Sequence, residues 1–307
     1  MKMNTLYVIG NGFDLYHELP TRYCHFHKFV KENHKEFDFE LEKYFELRIK
    51  EDKSPEVSCV EKYLWTNFEE DLGTFDWTAF FDDICNIDIN DENFKLSFIY
   101  SLEDDIDEQT ENLLESIREA FESWLECIDF DFVQKKLSLN ENACFLSFNY
   151  TLLLEVFYKI QHENILHIHG NIEDNRGAII FGHNQTVEEE PEFDENGDSN
   201  RTPFSDSEAK AKYPFHALSK PVREIIEDNK SFFEDLCLVN KIVVLGHSLN
   251  EIDIPYFEEI HRITSNANWL VTYFDEDEKQ KHLFTLQEIG IERECISMIK
   301  IDELLII

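Results

Sequence analysis

The sequence has little positive charge. It contains 28 lysine and arginine residues against 65 aspartate and glutamate residues, which gives a formal net charge of −37 over 307 residues. Such an acidic surface repels phosphate backbones, so direct nucleic-acid binding is not expected, and a nuclease would need a local basic groove. The charge suits solubility, a basic partner protein, or a surface that is simply solvated.

Long apolar runs and paired cysteines are also missing. No stretch approaches the roughly 18 apolar residues of a membrane helix, and the apolar run before Gly10 is too short for a signal sequence. The seven cysteines are scattered and include no C-x-x-C pair, which argues against a zinc ribbon and against a disulfide framework. We therefore predict a cytoplasmic protein with no membrane association and no metal site.

What the chain does contain is an alternation of short β-rich runs and helical segments. The predicted strands lie at 6–9, 143–147, 165–168, 178–181, 241–245, 269–274 and 298–301. After residue 140, the predicted helices lie at about 151–161, 221–238, 253–263 and 276–288. This alternation predicts an α/β fold with a doubly wound, mostly parallel sheet.

Two segments interrupt this alternation. A large helical insertion is predicted at about 35–135, after the first strand, and an acidic, loop-rich insertion at about 171–220. Within the second insertion, residues 187–208 combine acids with proline and glycine, which predicts loop or disorder. We expect residues 1–307 to form a single α/β domain that carries both insertions.

A glycine turn follows the first predicted strand, where Gly10, Asn11 and Gly12 precede Phe13 and Asp14. Glycines here let the backbone approach a phosphate while the next helix points its amides at the anion. The third glycine of the usual dinucleotide fingerprint is missing, so a tight strand-to-helix turn is the alternative. The position favours ligand binding, because the first β–α turn of such a sheet borders the ligand crevice.

Polar residues also end the next two predicted strands. Asn149 could hold a ribose hydroxyl or a water molecule, or it could cap the following helix. His167 and His169 lie two residues apart before Gly170, so strand alternation places both on one face. They could bind a metal with a third ligand that the spacing does not name. Alternatively, His169 could act as a general base while His167 is structural.

A last motif, Gly246 to Asn250, follows the strongest predicted strand. It is similar to the G-x-S-x-G nucleophile elbow of serine hydrolases, although Asn250 replaces the final glycine. A hydrolase of this kind would use Ser248 together with Asp275 and His282. The alternative is a second phosphate- or ribose-binding turn in which Ser248 and the backbone act as donors.

In this order, the four motifs resemble those of the bacteriophage abortive infection AbiH family. The family's N-terminal signature is similar to residues 8–15 followed by Leu19-Pro20-Thr21. Its later blocks are similar to residues 148–151, 167–170 and 246–249, with Asp253. The resemblance covers most of the chain and implies a role in antiphage defence.

A more distant likeness is to sirtuin-type domains, a variant of the Rossmann fold. Their two glycines, serine and proline of the first turn correspond to Gly10, Gly12, Asp14 and Pro20. Their catalytic asparagine, His-Gly pair and later ribose-binding turn correspond to Asn149, His169-Gly170, Gly246 and Ser248. The acidic insertion stands where sirtuins carry a zinc ribbon. With this insertion, the chain is similar to defence-associated sirtuin-like proteins that hydrolyse NAD rather than deacylate protein.

This resemblance implies that NAD or a related nucleotide is the substrate or ligand. Asn149 would position the attacking water, and His169 would act as the base or as a partner of a ribose hydroxyl. The implied nucleotide-binding residues are Gly10, Asn11, Gly12, Phe13, Asp14, Arg22, Tyr150, Gly170, Gly246, His247, Ser248 and Asp253. The alternative is a non-catalytic module that senses a nucleotide, docks on a protein partner or forms a homo-oligomer.

Three positions depart from the sirtuin pattern. Asp14 replaces a serine, Glu18 replaces the glycine before the Leu-Pro pair, and Thr151 replaces an aspartate. A carboxylate at position 14 would repel a dinucleotide unless a metal or a basic residue such as Arg22 offsets its charge. This departure leaves the identity of the nucleotide open.

Overall fold

The computed structural model describes residues 4–46, 49–50, 64–65, 68–173, 179–187, 191 and 193–304. They form two compact units. The first unit contains Met1–Arg22, Leu125–Ile180 and Pro221–Ile307, and the second contains Tyr23–Trp124 and Phe181–Lys220. The prediction of a single domain over residues 1–307, with insertions at 35–135 and 171–220, stays a prediction.

The described residues include eight strands. They are β1 (Thr5–Ile9), β2 (Ile49–Lys50), β3 (Leu64–Trp65), β4 (Cys144–Ser147), β5 (Ile165–His167), β6 (Lys241–Leu245), β7 (Asn268–Tyr273) and β8 (Ile296–Lys300). Six of them form one sheet in the order β5-β4-β1-β6-β7-β8, and β2 pairs with β3 in a second, two-stranded sheet. Every pairing in the six-stranded sheet is parallel, which confirms the predicted α/β class.

The helices occupy both units. They are α1 (Asn11–Tyr16), α2 (Tyr23–Asn33), α3 (Lys35–Tyr44), α4 (Phe68–Asp71), α5 (Trp77–Ile84), α6 (Leu96–Glu126), α7 (Leu153–Val156), α8 (Ser205–Ala211), α9 (Tyr213–Ala217), α10 (Val222–Asp228), α11 (Lys230–Asp235), α12 (Ile254–Ile263) and α13 (Glu276–Glu288). Short 3₁₀ turns lie at Leu72–Thr74, His162–Asn164, Leu236–Leu238, Glu251–Asp253, Arg293–Cys295 and Ile301–Glu303. Among the described helices, none is both long and apolar enough to cross a membrane.

Strand β1 lies near the middle of the first unit's sheet because its side chains suit burial on both faces. Leu6, Tyr7, Val8 and Ile9 are all buried, as expected of a strand in a parallel sheet covered on both sides. β1 pairs with β4 on one side and with β6 on the other. The strand order reverses direction between β1 and β6, and the carboxyl ends of the strands at such a switch point are where α/β sheets place ligands.

The second unit has an aromatic core. Phe121 of α6 lies 5.3 Å from Phe26, 6.1 Å from Phe68 and 4.7 Å from Phe181, measured between ring centroids. Trp124 completes the group at 5.6 Å from Phe121. Aromatic side chains bury more area than other residues, which explains why this phenylalanine-rich segment uses them for packing.

Three details differ from the sequence prediction. The predicted strand at 178–181 is wrong in its described part, because residues 179–181 form no strand and Ile180 makes one backbone hydrogen bond, to His169 O at 2.9 Å. The predicted helix at 151–161 is limited to α7, Leu153–Val156, and the chain then takes a left-handed conformation at Lys159, with φ 57°. The predicted helix at 221–238 is divided into α10, α11 and a 3₁₀ turn, with a break at Asn229.

Candidate functional site

Two glycine turns pack against each other at the carboxyl ends of β1 and β6. Gly10 N donates to Leu245 O at 3.0 Å, and Gly12 N donates to Gly246 O at 2.7 Å. A Cβ atom at Gly10 would lie 2.5 Å from His247 Cα, and one at Gly12 would lie 2.7 Å from Gly246 O. Both positions therefore need glycine because the backbone of the other turn fills the space beside them.

Gly246 completes this contact from the other side. Its φ of +62° is left-handed, and a Cβ atom there would lie 2.2 Å from Phe13 N. Phe13 N itself donates to Gly10 O at 2.9 Å. The amides of Gly10, Gly12 and Phe13 are thus all used inside the protein, and a bound anion would have to find other donors.

The side chains of the first turn divide into interior and exposed groups. The Phe13 ring is fully buried, 4.6 Å from the His17 ring and 5.6 Å from the Tyr158 ring. Asn11 is exposed, and its side-chain amide donates to Thr21 O at 2.8 Å. Arg22 is exposed as well. Among the residues predicted to hold a nucleotide here, Asn11 and Arg22 therefore present side chains to solvent.

Asn149 ties the end of β4 to the first glycine turn. Its Nδ2 donates to Gly10 O at 3.1 Å and to Asp14 Oδ1 at 2.8 Å. Its Oδ1 is buried and has no hydrogen-bond partner within the described part of the chain. The alternative role as a helix cap is wrong, because α7 begins only at Leu153 and has no side-chain cap.

Asp14 is buried beneath the turn, and its carboxyl group faces inward. Besides the bond from Asn149, Asp14 Oδ2 accepts a hydrogen bond from Thr151 Oγ1 at 2.6 Å. Burial raises the pKa of Asp14 from 3.8 to about 7, although the hydrogen bonds from Thr151 and Asn149 and the charge of His167 lower it in part. Two of the three departures from the sirtuin pattern, at positions 14 and 151, are therefore hydrogen-bonded partners.

His167 extends this group of polar residues. Its Nδ1 lies 3.0 Å from Asn149 O, and its Nε2 lies 2.8 Å from Glu155 Oε1. A carbonyl and a carboxylate both accept hydrogen bonds, so two simultaneous bonds require either a doubly protonated ring or a proton on Glu155. His167 thus holds the backbone of Asn149 and connects it to α7.

A second polar group surrounds Phe148, the neighbour of Asn149. The Phe148 ring lies 5.3 Å from the His169 ring, 4.4 Å from the His247 ring and 5.3 Å from the Tyr256 ring. All of these side chains are buried. Phe148 and Asn149 directly follow β4, and their side chains contact different polar groups.

Asp253 lies between the two histidines of this second group. Its Oδ2 is 3.5 Å from His247 Nε2, and its Oδ1 is 4.0 Å from His169 Nε2. Leu249 N donates to His247 Nδ1 at 3.0 Å, so a neutral His247 carries its proton on Nε2, which faces Asp253. His169 Nε2 also lies 3.2 Å from the Tyr256 hydroxyl. Asp253 thus presents one carboxyl oxygen to each histidine.

Within the described part of the chain, His167 and His169 contact different groups, and the metal-binding alternative for this pair stays a prediction. His167 contacts Glu155, whereas His169 contacts Tyr256. Neither histidine belongs to the one set of three potential metal ligands found among the described residues. Two other predicted site residues lie near this pair. Gly170 takes a left-handed backbone conformation with a φ of +77°, and the hydroxyl group of Tyr150 donates a hydrogen bond to Ile180 O at 3.0 Å.

The serine hydrolase alternative names Ser248, Asp275 and His282, and the structure places the His282 ring against the Ser248 backbone. Ser248 is exposed, but the carboxyl group of Asp275 accepts a hydrogen bond from Glu278 N at 2.9 Å and caps α13. His282 is buried, and its Nε2 lies 3.7 Å from Glu278 Oε1. Burial lowers the pKa of His282, and the charge of Glu278 acts in the opposite direction. Asp275 thus has a local role as the cap of α13, and the serine hydrolase alternative stays a prediction.

Sequence reasoning missed two residues of this region, Glu155 and Tyr256, and it included Phe148 only as part of the family block at 148–151. Tyr256 could have been found, because it follows Asp253 by three residues and a helical spacing of three places two side chains on one face. Glu155 carries no comparable signal, since a surface-type acid is common in any chain.

The four motifs of the sequence converge at the carboxyl edge of the sheet, at the ends of β1, β4, β5 and β6. The model of one protein family, described as bacteriophage abortive infection AbiH, matches residues 6–273, a span that contains all four motifs. No curated protein and no solved structure matches the chain. Because the family match covers most of the sequence and every motif in it, the chain belongs to the bacteriophage abortive infection AbiH family.

Proposed function

We propose that this protein is an antiphage effector of abortive infection that binds NAD or a related nucleotide and hydrolyses its nicotinamide–ribose bond. Family membership supports the role in abortive infection. The observation that supports the site is the hydrogen bonding of Asn149 to the Gly10 turn, next to the His169, Asp253 and His247 group. Four sequence motifs meet at the sheet edge where α/β folds bind ligands.

The proposed reaction needs a water molecule, a base and a leaving group. The oxygen of the water attacks the ribose carbon, the bond to the nicotinamide nitrogen breaks, and nicotinamide leaves with the bonding electron pair. His169 accepts the proton of the water, a task suited to a neutral histidine near pH 7. The buried Oδ1 of Asn149 is an acceptor that could orient the water or a ribose hydroxyl.

The Asp14–Thr151 pair supports the relation to sirtuin-type domains. In the sirtuin pattern the first position is a serine and the second an aspartate, whereas here the carboxyl group comes first and the hydroxyl second. The Thr151 hydroxyl donates to Asp14 at 2.6 Å. Relative to the sirtuin pattern, the hydroxyl and carboxyl groups have exchanged positions. One hydroxyl and one carboxyl group are still present at positions 14 and 151, so the two departures compensate each other.

A non-catalytic nucleotide sensor is the second candidate, and one observation favours it. The amides of Gly10, Gly12 and Phe13, together with both hydrogens of the Asn149 amide, are used in bonds within the protein. These groups are therefore unavailable to a phosphate unless the turns move apart. A site that opens only when a signal binds would suit a sensor.

The experiment compares NAD loss and phage protection in the same cells. Bacteria carrying the wild type, His169→Gln or His162→Gln are infected, and total NAD and plaque formation are measured over one infection cycle. His162 is an exposed histidine and serves as the matched control. We expect the wild type and His162→Gln to deplete NAD and protect the culture, while His169→Gln does neither.

Two results would contradict the hydrolase. One is protection by the wild type with NAD, NADP and ATP all unchanged, and the other is full protection by His169→Gln at normal protein levels. Calorimetry with NAD and ADP-ribose on the purified protein then tests the sensor, because a sensor binds one of them without turnover. If neither ligand binds, neither candidate survives.

A further inference from the structure

We propose that the second unit contains a divalent transition-metal site formed by His27, Asp38 and Glu42, which joins helices α2 and α3. The nearest ligand atoms of the three side chains all lie within 4.8 Å of one another. Among the residues that the structure describes, this is the one set of three such groups. All three residues belong to the second unit, and the proposal does not depend on the proposed reaction.

The three ligands come together because of helix geometry. His27 lies on α2, and Asp38 and Glu42 lie four residues apart on α3, which places both carboxylates on one face of that helix. His27 Nε2 lies 3.5 Å from Asp38 Oδ1. Two ligands of a tetrahedral ion with bonds of about 2.1 Å are separated by about 3.4 Å, so this spacing suits a shared cation.

The set runs from a buried histidine to an exposed glutamate, with Asp38 intermediate in exposure. His27 is buried, and Asp38 Oδ1 is buried with no hydrogen-bond partner among the described residues. Burial is the main cause that raises the pKa of Asp38, and the charge of Glu42 adds to it. A buried carboxylate oxygen without a donor is costly, and a cation bound beside it would remove that cost.

Lys31 occupies the position of a competing cation. Its Nζ lies 3.5 Å from Glu42 Oε1, and its charge lowers the pKa of Asp38. The Lys31 side chain is about half exposed, so its ammonium group can swing into solvent when an ion enters. The site therefore carries two carboxylates against one lysine, and removing the lysine should strengthen metal binding.

The donor set selects the class of metal. One imidazole nitrogen and two carboxylate oxygens suit zinc and similar first-row ions, whereas magnesium and calcium prefer oxygen ligands alone. Co²⁺ is a suitable probe because it accepts the same donors as zinc and has a visible spectrum. A thiolate ligand would add an intense charge-transfer band, which separates this site from the chain's cysteines.

The experiment titrates Co²⁺ into the full-length protein after treatment with a chelator. We compare the wild type, Glu42→Gln, Lys31→Gln and the matched control Glu36→Gln, which removes an exposed carboxylate from the same helix. We expect one bound Co²⁺ per chain without a thiolate band, and unchanged binding in Glu36→Gln. Glu42→Gln loses a metal ligand, so Co²⁺ binding should weaken by more than the roughly 10–100-fold that results from losing a side chain that only hydrogen-bonds a ligand. Lys31→Gln should bind Co²⁺ more tightly.

Equal affinities for Glu42→Gln and Glu36→Gln would overturn the proposal. So would a thiolate band that accounts for all of the bound metal, or weaker binding by Lys31→Gln. Glu42 is exposed, so its replacement should leave the fold intact, and circular dichroism of each variant confirms this. Asp38→Asn adds a second test, since it keeps the side-chain shape but removes the charge, and undiminished Co²⁺ affinity there would also overturn the proposal.

Discussion

Replacing Asp14 with asparagine should change how the stability of the protein depends on pH. Burial raises the pKa of this carboxyl group from 3.8 to about 7, so the folded state holds a proton that the unfolded state releases. A change of this size corresponds to about 4 kcal/mol. This is an upper limit, because structural relaxation and water entry reduce the cost of a buried charge.

The sign follows from the proton balance. Between pH 3.8 and about 7 the folded protein binds more protons at Asp14 than the unfolded chain, so the free energy of unfolding falls as pH rises. Below pH 3.8 both states are protonated, and above about 7 both are ionised, so the contribution levels off at each end. Roughly half of the loss is already present at pH 5.5, which leaves about 2 kcal/mol between pH 5.5 and 8.

Asparagine at position 14 cannot ionise, and it offers one acceptor where the carboxylate offers two. It should lose the hydrogen bond from either Asn149 or Thr151, at a cost of about 1–3 kcal/mol that does not depend on pH. Relative to the wild type, Asp14→Asn should therefore gain about 2 kcal/mol of stability between pH 5.5 and 8.

The assay is urea unfolding of both proteins at pH 5.5 and pH 8, which keeps the samples above the sequence pI of about 4.5. Asp228→Asn is the matched control, because Asp228 is exposed in the same unit and its replacement should have the same effect at both pH values. If the difference between Asp14→Asn and the wild type is the same at both pH values, the carboxyl group is ionised throughout and the reasoning fails.

Two further substitutions test the backbone of the first unit. Gly246→Ala places a Cβ atom 2.2 Å from Phe13 N at a φ of +62°, so it should lower the free energy of unfolding in urea by at least about 3 kcal/mol. The control Gly197→Ala is also at positive φ but has open space around it, so it should cost about 1–2 kcal/mol. Similar losses of stability in the two variants would mean that the turns are not tightly packed. Glu18→Gly should leave the free energy of unfolding in thermal denaturation unchanged or raise it by up to about 1 kcal/mol. The glutamate is strained at a left-handed φ of 66°, glycine is not, and the only interaction given up is an exposed ion pair with Lys136. A loss of more than about 1 kcal/mol would contradict this reasoning.

The sheet could be predicted from the sequence because its strands are short, apolar and ended by glycine or polar residues. Residues 241–245 form β6 as predicted, and residues 276–288 form α13 with Asp275 as its cap. The apolar run at 178–181 has the same composition as a strand, but residues 179–181 make only one backbone bond to the segment beside them. Composition does not reveal whether a neighbouring strand is available.

The candidate site was less predictable, because sequence motifs do not show which atoms face each other. The spacing of Gly10 and Gly12 correctly indicated a close backbone approach, but the approaching group is the turn at Gly246. Asn149 was singled out by its place at a strand end, whereas its actual partners, Gly10 O and Asp14, are more than 130 residues away. Only the sheet order brings such distant residues together.

The position of β1 in the sheet has a consequence for how the chain folds during synthesis. Its neighbour β4 begins at Cys144 and its other neighbour β6 at Lys241, so β1 gains its second partner about 230 residues after it is made. At typical synthesis rates of 5–20 residues per second, this takes on the order of 10–50 s. During that time an apolar strand lacks at least one of its hydrogen-bonding edges, which is a hazard for aggregation. Ribosome-bound chains that end before residue 241 should therefore depend on chaperones more than chains in which β6, β7 and β8 have all emerged.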